Sequence, residues 1–529
     1  MPSTAWFTSR LTTRLLAAAW AGLLLARGLL LGHGALADYD ERRYFQSLAA
    51  VRALAHGQWQ AAAYALSMTA ARPVDALLRC VPAAGQLGLQ KLGFDVLDYP
   101  SLLLPTGLNY LATLAIAWLF YRSCYRLLAD TGAPRQWALV AAVLYASLAN
   151  TSLYVRHVLP YDWALLLLLA LLAWVLRWPM RASVGRWLGL GLGAGLLWLL
   201  YPGYYAGPPL LLAVLLDWRQ PLRWVGQHAG QLLMLGLGFG GPLLAAEALS
   251  RLGGAPPFWA VSYDLSLHIL QGDPAEGYTF PLAYLWRVEG ALGVTLLAGA
   301  ALALGQVARQ LGREGLRALV PRTPRQRVLT GALLLLLLHA TAAAVGHRIV
   351  WYGRLLHLYL PWLVLAGVAA LAQVRQGWAA GAGLAAGAVA LASYGIFWVG
   401  YQRILYPPDV LATYNLNCLP ESAVRYTEDV RVTPELRFDR PPLPARCRAY
   451  KQHHADSLTL LVNFAVLYPL TPATRATAAL PLSGTARVLV DGPHYLSFPA
   501  YEFEGLSPAE RAEADRRQFL LQVLRVSDK

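Results

Sequence analysis

The sequence predicts an all-α polytopic membrane protein of about eleven transmembrane helices, followed by a small extracytoplasmic α/β domain at its C-terminal end. Three observations predict it. Of 529 residues, 57% are hydrophobic and only 14% are charged, with a mean hydropathy of +0.42. A soluble chain of this length carries more charge. Apolar runs of about 17–25 residues recur along the first 400 residues, which is the length that crosses a bilayer core. The net charge of +15 is carried almost wholly by arginine, and the arginines fall between the runs. That placement orients a membrane protein and argues against a nucleic-acid partner.

The spans read as 12–33, 101–121, 136–155, 161–178, 187–201, 204–217, 228–249, 284–308, 328–346, 349–373 and 378–400. Arg10 and Arg14 precede the first, and arginines follow the second, fourth, sixth, eighth and tenth. Every second connection is therefore Arg-rich, which places the N-terminus in the cytoplasm and the C-terminal segment outside. The segment Tyr201-Pro-Gly-Tyr-Tyr205 fits a tight outer turn or a kink in one long helix, and the arginine alternation keeps the fifth and sixth runs as separate spans. A cleavable signal peptide is the rival reading of the first run, although Arg27 interrupts its apolar centre.

Residues 1–400 form the transmembrane domain. Residues 34–100 make a long first outer loop whose stretches 42–54 and 74–92 have the pattern of interfacial amphipathic helices. A second outer loop covers 250–283. The tail, 401–529, is rich in proline and long enough for a folded domain. Short β-type runs occur at 458–467 and 486–490, and a capped helix is expected over 507–524. Of four cysteines, Cys80, Cys124, Cys418 and Cys447, none has metal-ligand spacing. Cys418 and Cys447 share the outer tail and are candidates for a disulfide. No metal and no other cofactor is expected.

Polar residues on the expected outer side gather at few points. Asp38, Asp40 and Glu41 lie just beyond the first span, with Arg42, Arg43 and Tyr44. Arg72-Pro-Val-Asp75 follows. Arg156 and His157 sit in a short loop that ends at Asp162. Tyr263, Asp264, His268, Asp273 and Glu276 occupy the second loop. His347 and Arg348 precede Tyr352, Arg354 and His357. Charge at the mouth of a span is costly unless it has a function. Arginines bind phosphate oxygens in a bidentate manner, and a carboxylate can accept the proton of an attacking hydroxyl. Each residue also has a plainer role. A lone interfacial arginine snorkels to headgroups, Asp162 can cap the following helix, and an isolated histidine is more often structural. Their confinement to one side favours a site.

Three segments resemble the GT-C superfamily of integral-membrane glycosyltransferases, in its polyprenyl-phosphate-sugar-dependent branch of protein mannosyltransferases and aminoarabinose transferases. They are Asp40-Glu41-x-x-Tyr44 in the first outer loop, Arg156 to Asp162 opening a leucine-rich span, and Arg354-Leu-Leu-His-Leu-Tyr-Leu-Pro361. The likeness covers roughly residues 10–400. It departs from the family pattern at Arg72-Pro-Val-Asp75, and the tail matches no domain of the family. The resemblance implies a transferase of the bacterial inner membrane, part of cell-envelope chemistry. It implies a polyprenyl-phosphate-linked sugar donor and a lipid, glycan or protein acceptor. Asp40 or Glu41 would be the base, and the anomeric carbon would invert. Arg156, Arg348 and Arg354 would stabilise the leaving phosphate, and Tyr44, His157, Asp162 and His347 would line the substrate site. The alternatives are a polysaccharide polymerase or ligase, and a transporter or flippase. A transporter places polar groups on broken helices near the bilayer midplane.

Overall fold

The computed structural model describes residues 7–33, 41, 43–68, 72–94, 96, 98–178, 183–270, 277–346, 353–374 and 376–401, and four strands of the tail, 424–426, 458–463, 487–492 and 519–526. The helices run in order α1 (Arg10–Gly28), α2 (Tyr44–Ala55), α3 (Trp59–Ser67), α4 (Pro73–Lys91), α5 (Tyr99–Leu127), α6 (Pro134–Ala146) and α7 (Ala149–Arg156). They continue with α8 (Tyr161–Val175), α9 (Val184–Leu200), α10 (Gly207–Leu215), α11 (Pro221–Gln227), α12 (Ala229–Gly253) and α13 (Phe258–Leu270). The last are α14 (Phe280–Val288), α15 (Gly290–Glu314), α16 (Pro324–Ala344), α17 (Gly353–Leu356), α18 (Leu360–Ala372) and α19 (Gln376–Tyr401).

Among the described residues, five helices are long and apolar enough to cross a membrane, and the bent pair α6–α7 makes six. They are Tyr99–Leu127, Ala229–Gly253, Gly290–Leu319, Pro324–Ala344 and Trp378–Val399. Helices α8, α9 and α18 are apolar but shorter. The chain is thus a polytopic helical membrane protein. Helices α2, α3 and α4 fill the stretch read as the first outer loop. The fifth and sixth expected spans are α9 and α10, parted by a short 3-10 turn, Pro202–Tyr204. Close helix pairs rest on glycine. A Cβ on Gly191 of α9 or Gly238 of α12 would collide with the backbone of the other helix. Small residues allow that approach where no hydrophobic effect drives helices together.

Two expected spans have different shapes. The run 284–308 is two helices, because Glu289 parts α14 from α15, whose first residue Gly290 has a left-handed backbone (φ 55°). The run 136–155 bends by 59° between α6 and α7, with Leu148 in an extended conformation. A helix broken inside a membrane exposes carbonyls at one end and N–H groups at the other, each costly without a partner. Two distant side chains supply them. Arg27, 3% exposed, donates to Ala146 O at 2.6 Å, to Thr151 Oγ1 at 2.6 Å and to Thr151 O at 3.2 Å. Glu289 accepts from Ala149 N at 2.8 Å and Asn150 N at 3.0 Å. The cation meets a helix C-terminus and the anion an N-terminus, as the helix dipoles require.

The four described strands of the tail form a sheet in the order β1 (Val424–Tyr426), β2 (Leu458–Asn463), β4 (Phe519–Val526), β3 (Arg487–Gly492). Strands β1 and β2 are parallel; β2–β4 and β3–β4 are antiparallel. Of the closing helix expected over 507–524, residues 519–524 belong to β4, and 507–518 lie outside the described residues. Leu, Gln and Arg are good helix formers, but pairing on both edges of β4 overrides that local preference.

Candidate functional site

The loop His157–Pro160 joins α7 to α8, and side chains from three other elements hold its backbone. Glu41 accepts from Val158 N through one oxygen, and its other oxygen lies 3.1 Å from His157 Nδ1. Asn109 of α5 donates to the carbonyls of His157 and Tyr154. Arg79 of α4 donates to Leu159 O at 2.6 Å, to Asn109 Oδ1 at 2.5 Å and to Asp75 Oδ1 at 3.1 Å. Glu41, Arg79, Asn109 and His157 are all buried. Buried charge is tolerated only when its hydrogen-bonding capacity is met, and here each charge is tied to loop backbone or to a counter-charge.

A second group adjoins it. Asp162 opens α8 and accepts from Thr113 Oγ1 at 2.7 Å. His357 Nε2 stands 3.5 Å from the other Asp162 oxygen, and His357 Nδ1 is 2.7 Å from Tyr204 OH. Tyr154 packs edge-on against both Tyr161 (4.8 Å) and His357 (5.0 Å), and Tyr161 against Tyr201 (4.8 Å). Arg354 Nη1 donates to Tyr161 OH at 3.3 Å. The Arg72 guanidinium lies 4.8 Å from the Tyr201 ring centre, a cation–π contact. Arg156 donates to His33 O. Four arginines, Arg72, Arg79, Arg156 and Arg354, are thus buried at one end of the bundle.

The structure joins residues that the sequence places far apart: Glu41 with His157, Asp162 with His357, and Arg354 with Tyr161 at the start of α8. Tyr44 has a different partner. It donates to Gln86 Oε1 at 2.6 Å, and burial pushes its phenol well above the ordinary value, so it stays a neutral donor. Asp38, Asp40, Arg42, Asp273, Glu276, His347, Arg348, Tyr352, Cys418 and Cys447 lie outside the described residues, as does the side chain of His268. Sequence reasoning passed over Arg79, Asn109, Thr113 and Tyr204. Arg79 had a signal, since Asp75 lies four residues before it on the same helical face. Asn109 and Thr113 had only their polarity within an apolar run. Among the described residues, no three His, Cys, Asp or Glu side chains group as a metal site would.

No protein-family model matches the chain, and no curated protein sequence matches it. A solved structure does: ArnT from Cupriavidus metallidurans, crystallised bound to undecaprenyl phosphate. The match has a TM-score of 0.52 at 10% identity and covers 96% of this chain and 98% of that one. This chain therefore shares its overall membrane fold with ArnT over nearly its whole length.

Proposed function

We propose that the protein is a membrane glycosyltransferase that moves a sugar from a polyprenyl-phosphate donor to an acceptor hydroxyl, with inversion, on the outer face of the membrane. The observation that carries this reading is the burial of Arg72, Arg156 and Arg354 at one end of the bundle, around the loop that Glu41 anchors. Guanidinium groups fixed in a dry site stabilise a leaving phosphate more than the same groups in water, because they need no reorganisation as charge develops. The ArnT fold, seen with undecaprenyl phosphate in that protein, supports a lipid donor of this class.

Both Glu41 oxygens are engaged by the 157–158 segment. This favours Asp40 as the base and Glu41 as the residue that holds the loop. In the proposed reaction Asp40 takes the acceptor hydroxyl proton, the oxygen attacks the anomeric carbon, and the bond to phosphate breaks. Arg354, with Arg156, Arg72 and Arg348, takes up the charge on the departing polyprenyl phosphate. Tyr44, His157, Asp162 and His347 shape the surrounding pocket. The reading includes eleven spans in a bacterial inner membrane, a cytoplasmic N-terminus, an extracytoplasmic tail and no metal. The test is sugar transfer from polyprenyl-phosphate donors by purified protein. Asp40→Asn should lower turnover by at least about a hundredfold, the usual size of a general-base contribution, with donor affinity unchanged. Full turnover by that variant would remove Asp40 from the role.

A further inference from the structure

At the end of the bundle away from the loop 157–160 lies a cavity of about 380 Å³ between α15, α16, α18 and the α5–α6 turn. Asn109 and Leu127 stand at the two ends of this separation on α5, and 18 residues of helix span about 27 Å. The cavity is thus remote from the candidate site. Its volume is within the range of about 300–1,000 Å³ usual for small-molecule sites.

Its polar groups are of two kinds. Arg325 and Asp130 face each other in a fork, with Arg325 Nη2 to Asp130 Oδ2 at 2.8 Å. The Asp130 side chain is 57% exposed and that of Arg325 is 11% exposed. Two glutamines of the wall have their amides oriented by other bonds. Gln326 accepts from Arg322 N at 2.8 Å and Thr323 N at 3.1 Å through its oxygen, which leaves its NH₂ as a donor beside Arg325. Gln306 donates to Ala370 O at 2.9 Å, which leaves its carbonyl oxygen as an acceptor. The cavity therefore offers one cation with an amide donor and one carboxylate with an amide acceptor. Its remaining wall mixes the polar Thr131, Gln310 and Gln373 with the apolar Ala303 and Val307 of α15, Leu329 of α16 and Ala366 of α18. Further in, α15 and α18 touch at Gly299 and Gly367, where an added Cβ on Gly299 would stand 2.9 Å from the Gly367 Cα. That contact closes the slot.

We propose that this cavity binds a zwitterionic phospholipid of the phosphatidylethanolamine type, its phosphate on Arg325 and Gln326, its ammonium on Asp130 and Gln306, and the start of its acyl chains in the alanine slot. Opposite charges held together match a headgroup that carries both signs. An anionic lipid gains little, since Asp130 cancels Arg325 locally and repels a second negative charge. The level of the cavity agrees, because the exposed Arg309, Arg313, Arg317 and Arg322 beside it mark a headgroup layer. Under the proposed topology that layer is the cytoplasmic leaflet.

The experiment is native mass spectrometry of the full-length protein, stripped with detergent and then offered vesicles of equal phosphatidylethanolamine and phosphatidylglycerol. The wild type should retain one phosphatidylethanolamine in preference to phosphatidylglycerol. Asp130→Asn changes an exposed side chain and keeps the fold. It should lower the preference by about tenfold, the scale of one charge-assisted contact. Ala366→Phe fills the slot and should abolish retention of both lipids. Retention of no lipid by the wild type would overturn the proposal, as would the same lipid ratio in wild type and Asp130→Asn.

Discussion

The two ends of the helical bundle use arginine in opposite ways. At the end that carries the loop 157–160, Arg72, Arg79, Arg156 and Arg354 are buried and bonded to carbonyls, a carboxylate, a phenol and an aromatic face. At the other end Arg122, Arg135, Arg309, Arg313, Arg317 and Arg322 are exposed, and the exception is Arg325, mostly buried and paired with Asp130. An exposed arginine there stays hydrated, and a contact such as that of Arg322 with Glu314 contributes little to stability. A buried arginine must be matched donor by donor, and several kcal/mol of desolvation are recovered only if it is. The count of arginines at an end therefore says little by itself. Burial, not number, marks the end where chemistry or architecture demands the charge.

The largest expected effect on this contrast comes from Arg79→Ala. It leaves the Asp75 carboxylate, Asn109 and the Leu159 carbonyl without their partner. Removing one side of a buried pair costs about 3–5 kcal/mol, so the variant should lose most of its folded yield in detergent chromatography. Arg313→Ala, at the exposed end, should leave the elution profile as it was. Glu289→Ala tests the break in the α6–α7 span in the same way. It should destabilise by a similar ~3–5 kcal/mol, with Glu289→Gln retaining part of the loss because its amide oxygen still accepts from one N–H. Thermal midpoints of both Glu289 variants equal to that of the wild type would mean that the carboxylate does not cap α7.

A smaller effect is expected from Tyr204→Phe, which removes the phenol beside His357 Nδ1. The loss of one buried hydrogen bond costs about 1 kcal/mol, visible as a drop of a few degrees in thermal midpoint. The smallest belongs to the exposed charges. Arg317→Ala should stay within about 0.5 kcal/mol of the parent. A larger loss would show that the exposed end also relies on matched arginines, and would blur the contrast.

Much of the helical framework was legible in the sequence, because apolar length and the arginine alternation are local signals. Pro and Gly marked Tyr201–Tyr205 as a turn or a kink, and the arginine alternation was needed to read it as a break between two helices. The bend between α6 and α7 could not be read in this way. No proline marks it, and its stabilisers, Arg27 and Glu289, lie more than 100 residues away on either side. Arg27 was visible only as an anomaly in an apolar run. Glu41 stood out by its position after the first span, but its attachment to Val158 and His157 is a tertiary fact. The strand Phe519–Val526 was misread because helix-forming side chains were placed by their neighbours into a sheet.

The central claim is that the buried arginines hold a lipid phosphate. The most direct measurement is the thermal shift of purified protein on adding undecaprenyl phosphate, each variant scored against its own ligand-free midpoint. The account predicts saturable stabilisation of the wild type and of Arg309→Ala, and loss of the shift in Arg354→Ala. Arg354→Lys should bind about tenfold more weakly, since it keeps the charge but not the planar fork. Equal shifts for wild type, Arg309→Ala and Arg354→Ala, or no shift at all, would contradict it and leave the buried arginines as architecture.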